Sequence, residues 1–103
     1  MGDAVWKSEL FEQLARVGKA LGNGKRLELL DLLAQGPRNV AELAATAGLG
    51  LTTASAHLQT LRQAGLVTTR REGTAIYYRL TDADVAALHE GFARAGRSAV
   101  LSP

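Results

Sequence analysis

Apolar positions recur every three or four residues through the first fifth of the chain. Leu10, Leu14, Val17 and Leu21 share one face with Phe11 beside them, while Glu9, Glu12, Arg16 and Lys19 lie elsewhere, the pattern of an amphipathic helix. Gly22-Asn23-Gly24 stops it, and Asn23 is placed to cap a second helix from about Lys25 to Gln35. Leu27, Leu29, Leu30, Leu32 and Leu33 cover most of that helix's circumference, which predicts a position at the middle of a core. Gly36-Pro37 ends it. Asn39-Val40-Ala41-Glu42 then reads as a capping box opening a short third helix, Val40 to Ala47, with Val40, Leu43, Ala44 and Ala47 on one face.

Gly48-Leu49-Gly50 makes a tight turn into a fourth helix, Leu51 to Ala64. Its inward positions are Leu51, Ala54, Leu58 and Leu61, and Gly65 is suited to a left-handed terminus. There the period changes from helical to alternating. Leu66 to Arg71 and Ala75 to Leu80 are β-branched and aromatic runs separated by Glu72-Gly73-Thr74, a hairpin signal. Within it, alternation puts one of Tyr77 and Tyr78 on the core and the other outside. Thr81 is the expected N-cap of a last helix with Val85, Leu88, Phe92 and Ala95 as its apolar stripe.

The predicted fold is thus mainly α with a β-hairpin: a winged helix-turn-helix of five helices plus a two-stranded wing. At 103 residues, the expectation is one domain spanning residues 1–103. The stripes on the first and last helices exceed what so small a core covers. A homodimer is therefore expected, with Trp6, Leu10, Phe11, Leu14, Leu88 and Phe92 in or near the seam, and a surface or interface place for His89.

Charge sharpens this picture. The net charge is only +2, but Arg62, Arg70, Arg71 and Arg79 face a single acid, Glu72, between positions 62 and 79, while Asp82, Asp84 and Glu90 follow. The inward set of the fourth helix turns Thr52, Thr53, Ser55, Ala56, Gln59 and Gln63 outward or to the sides. Thr, Ser and Gln bond base edges or phosphates. His57 lies beside that face and Arg62 near its end. The hairpin carries Arg70, Arg71 and Thr74 toward its tip, within reach of phosphates or a minor groove. The expected partner is double-stranded DNA.

Other chemistry is poorly supplied. The chain has no cysteine, no glycine-rich phosphate loop and no Ser-His-Asp set in a recognisable context, so no catalytic residue is expected. No apolar run approaches a membrane span and the N-terminus lacks a secretory pattern, so no membrane partner is expected and the cytoplasm is the default location.

The stretch from Leu27 to Leu80 resembles the ArsR/SmtB family of bacterial winged helix repressors. It does so through KRLELLDLL (Lys25 to Leu33), NVAELAATAGL (Asn39 to Leu49), SAHL (Ser55 to Leu58) with Leu61, AGLV (Ala64 to Val67) and RREGTAIYYRL (Arg70 to Leu80). It is especially similar to the regulator halves of proteins that fuse such a domain to a rhodanese. The resemblance implies a dimer built from the first and last helices, repressing transcription from a palindromic operator. It places Thr52, Ser55, Ala56 and Gln59 at base-facing positions; many relatives carry His or Arg where Ala56 stands. It also implies where metal sites would fall. The thiolate site falls on Asn39 and Ala41, and the zinc site on Asp82, Asp84, Ala95 and Ser98. Neither set is competent, so no metal and no cofactor are expected, and the sequence names no effector. Two other readings stay open: a winged-helix protein-interaction module without sequence-specific DNA binding, and a metal-responsive sensor with an atypical site.

Overall fold

The computed structural model describes residues 3–102. In chain order the elements are α1 (Asp3–Leu21), α2 (Gly24–Ala34), β1 (Arg38–Asn39), α3 (Val40–Ala47), α4 (Leu51–Gln63), β2 (Val67–Glu72), β3 (Ala75–Leu80) and α5 (Ala83–Leu101). Helix α2 is central, as its sequence foretells: Leu29, Leu30, Leu32 and Leu33 are all buried. Leu43, Ala44 and Ala47 of α3 and Ala54, Leu58 and Leu61 of α4 close on it, with Ala20, Leu21, Leu66, Val67 and Tyr78 around them. No polar or charged residue is buried among the described residues.

Local chemistry sets the boundaries. Asn23 caps α2 by accepting from the Arg26 amide at 3.0 Å. The capping box at α3 is complete: Asn39 Oδ1 accepts from the Glu42 amide at 2.9 Å, and Glu42 accepts from the Asn39 amide at 3.2 Å. The turns on either side of α4 need left-handed backbone, which glycine adopts without a Cβ clash. Gly48 (φ +68°) reverses the chain between α3 and α4, and Gly65 (φ +80°) between α4 and the hairpin. Beyond Gly65 the Leu66 amide returns to the Leu61 carbonyl at 3.0 Å, satisfying an open carbonyl of α4.

The hairpin pairs Val67 with Leu80 and Glu72 with Ala75, so Glu72 is strand rather than turn, and Gly73-Thr74 alone make the bend. It also gains a third strand. Arg38 and Asn39 pair with Tyr78 and Tyr77, giving the order β1-β3-β2. Two residues carry no periodicity, so nothing in the sequence announced β1; Asn39 ends this strand and caps α3 in one extended conformation. Of the tyrosines, Tyr78 is the buried one.

Two expectations are corrected. Leu51 is not inward but 58% exposed. It shares a face with Ala54, yet it opens the first turn of α4, beyond the reach of the core. Thr81 does not cap α5. Asp82 does, accepting from the Val85 amide at 3.1 Å, while the Thr81 hydroxyl donates to the Gly65 carbonyl at 2.8 Å. A carboxylate is the stronger acceptor at a helix start, and the threonine instead ties the exit of the wing to its entrance.

Candidate nucleic-acid interface

Helix α4 is held by one side only. With Ala54, Leu58 and Leu61 in the core, Thr52, Thr53, Ala56, Gln59, Arg62 and Gln63 are exposed and Ser55 is half-buried. This row is polar, small and without acid. Thr60, one place beyond Gln59, uses its hydroxyl on the Ala56 carbonyl at 3.2 Å. His57 stands apart from the row: it is half-buried, and its Nδ1 lies 3.3 Å from Nη1 of Arg26 on α2.

The wing places its cations unequally. Arg70, Arg71 and Thr74 are all exposed near the bend. Arg70 pairs across the strands with Tyr77, and Arg71 with Ile76. Successive strand residues point to opposite faces, so the two arginines leave the wing on opposite sides. Arg70 shares its side with Glu72, 3.9 Å away. A shallow recess of about 340 Å³ on that side is lined by Pro37, Arg70, Glu72, Tyr77 and Arg79. Arg79 is therefore a further exposed cation of the wing that sequence reasoning counted but did not assign. Its position two residues from Tyr77 on an alternating strand was the available signal.

The six residues expected at a seam are all uncovered in the protomer. On α1 Trp6 is 67% exposed and Leu14 50%, with Leu10 and Phe11 exposed beside them; on α5 Leu88 is 40% and Phe92 46% exposed. Helix α5 has no buried residue at all, although its stripe is apolar. Between α2 and α5 a groove of about 490 Å³ runs past Leu27, Phe92 and Ala95. At its edge His89 Nε2 meets Asp31 Oδ1 at 3.0 Å. Apolar surface on this scale in so small a chain marks an interaction face.

Among the described residues no group of three or more His, Cys, Asp or Glu side chains is arranged to hold a metal ion. Asp82, one of the two carboxylates at the zinc-type positions, is engaged as the cap of α5. Among the described residues no helix is long and apolar enough to cross a membrane.

Comparison with known proteins gives a consistent result. Residues 23–69 match the family model described as bacterial regulatory protein, arsR family. The chain is 58% identical over 87 residues to the HTH-type transcriptional regulator Rv0324 of Mycobacterium tuberculosis, covering 84% of this chain but 38% of that protein. It is 41% identical over 76 residues to the biofilm growth-associated repressor of Xylella fastidiosa, covering 74% of this chain and 67% of the repressor. It also superposes on the solution structure of the homodimeric winged helix-turn-helix DNA-binding domain Mb0332 from Mycobacterium bovis. The TM-score there is 0.87 at 51% identity, over 95% of this chain and 89% of that one.

Proposed function

We propose that this chain, which belongs to the arsR family of bacterial regulatory proteins, is the DNA-reading part of a transcriptional repressor that works as a homodimer on a palindromic operator. The observation that carries the reading is the one-sided anchoring of α4. Its core face is fully buried, while Thr52, Thr53, Ala56 and Gln59 stand free in a row beside a wing with exposed arginines. A helix presented in this way fits the major groove, where Thr and Gln reach base edges. Ser55 flanks the row, and Arg62, Arg70, Arg71 and Thr74 supply phosphate contacts around it. The seam is formed by α1 and α5 through Trp6, Leu10, Phe11, Leu14, Leu88 and Phe92. In this reading the domain itself performs no reaction, and a bacterial operator-binding protein acts in the cytoplasm, where the DNA lies.

Two sets of variants test the reading on the duplex that the wild type selects from a random-sequence library. Thr52→Ala or Gln59→Ala is expected to cost selected-duplex binding about 1–3 kcal/mol while sparing a scrambled duplex. Equal losses on both would show that the row is not the reading face. Arg70→Ala with Arg71→Ala is expected to weaken binding to both duplexes alike, since phosphate contacts carry no base information. Each lost contact should flatten the log–log salt dependence by about one unit. Arg71→Ala alone should account for the larger share, because Glu72 already offsets part of the charge of Arg70. An unchanged slope in the double variant would remove the wing from the DNA backbone.

A further inference from the structure

Helix α1, whose outer face forms the proposed seam, also grips the reading helix from behind through two polar ties. The first passes through Arg26 of α2. Its Nε donates to the Ala20 carbonyl at 2.8 Å and its Nη2 to the Lys19 carbonyl at 3.1 Å. Both carbonyls belong to the last turn of α1, where cations are favoured by the open acceptors and the helix dipole. The third arm, Nη1, meets His57 of α4 at 3.3 Å. A guanidinium has donors only, so in this contact His57 Nδ1 stands on the accepting side. The second tie is direct: Gln13 Nε2 of α1 donates to the carbonyl of Ala64, the residue that caps the C-terminus of α4, at 3.2 Å. One tie holds the middle of α4 and the other its end.

We propose that Arg26 and Gln13 are positioning residues for operator reading, fixing the angle of the recognition helix against the dimer helix, and that His57 acts through Arg26 rather than on a base. The inference rests on the DNA-reading function proposed above. Its physical ground is the difference between the two kinds of contact. In a dimer both reading helices must enter successive turns of the groove together, about 34–36 Å apart. Base-edge hydrogen bonds weaken steeply as distance and angle depart from ideal. Long, flexible cations follow a phosphate that shifts, and such contacts carry no sequence information. A reading helix released from α1 therefore loses sequence preference before it loses DNA.

Arg26→Gln, Arg26→Lys, His57→Ala and Gln13→Ala are measured against the wild-type-selected duplex and a scrambled duplex of equal length, over a range of salt. Each variant is expected to lose about five- to tenfold on the selected duplex. Scrambled-duplex affinity, salt slope and dimerisation should stay as in the wild type. Arg26→Lys keeps the charge but not the three-armed fork, so it should behave like Arg26→Gln. Combining Arg26→Gln with His57→Ala should add less than about twofold, because the two residues form one tie. A salt slope flattened by about one unit in Arg26→Gln, with Arg26→Lys restoring it, would put Arg26 on a phosphate and overturn the proposal. Equal losses on both duplexes would overturn it as well. Should Arg26→Gln fail to fold, Gln13→Ala decides: an unchanged ratio between selected and scrambled duplex refutes the positioning role. A wild type that selects no duplex refutes the DNA-reading function itself, and this inference with it.

Discussion

Replacing Leu14 with Asp is expected to give a folded monomer whose hold on an operator falls by about 10²- to 10⁴-fold. Leu14 is half-exposed in the protomer, so the substitution removes little from the internal core. Helix α1 stays attached through Ala20 and Leu21, which are buried against the rest of the chain. In the proposed seam, however, a carboxylate would lose its water to an apolar environment, a transfer that costs far more than the leucine contributed. The loss on DNA is larger than for any single base contact because a dimer engages its second half-site at high effective concentration, and a monomer does not. Leu88→Asp, in the α5 part of the proposed seam, should have the same consequence. Sedimentation at micromolar concentration with helicity followed by circular dichroism checks both variants. A persistent dimer in either would place the seam elsewhere.

The second large effect is on stability. Leu58→Ala is expected to destabilise the protein by about 2–5 kcal/mol. Leu58 is fully buried at the centre of the inner face of α4, among the largest fully enclosed side chains. Truncation there removes apolar contact and leaves a cavity that a close-packed interior closes only in part. For a chain of this length the melting temperature should drop by roughly 10 °C or more. The comparison must be made at one protomer concentration, since dimerisation raises the apparent stability by mass action. The neighbouring Thr52→Ala and Gln59→Ala variants, on the exposed face, should melt within a few degrees of the wild type. That contrast separates the two faces of one helix by two different measurements. A Leu58→Ala protein as stable as the wild type would mean that α4 does not turn Leu58 into the core.

Most of the fold was legible in the sequence because its determinants are local. The Asn39–Glu42 capping box, the Asn23 cap and the left-handed glycines each specify a boundary through neighbours within a few residues. The change from helical to alternating period announced the wing. The face of α4 that remains free for Thr52 and Gln59 followed from the spacing of Ala54, Leu58 and Leu61. Periodicity assigns a face, but it does not say whether anything stands opposite that face at a given height. Leu51 satisfied the helical spacing and is nonetheless exposed.

What only the tertiary structure decided are contacts between residues far apart in the chain. The strand Arg38–Asn39 exists because Tyr77 and Tyr78 offer it an edge. Arg26 reaches His57, 31 residues away, and Gln13 reaches Ala64, 51 residues away. A polar side chain on a helix surface has the same local signature whether it meets water or a distant carbonyl. Asp82 displaced Thr81 as a cap because Thr81 found Gly65, 16 residues back, across the base of the wing. Sequence pattern thus determined the five helices, the hairpin, their order and most of their apolar faces, since these depend on spacing along one backbone. The links that orient the reading helix came from packing, because a hydrogen bond depends on where two backbones pass each other.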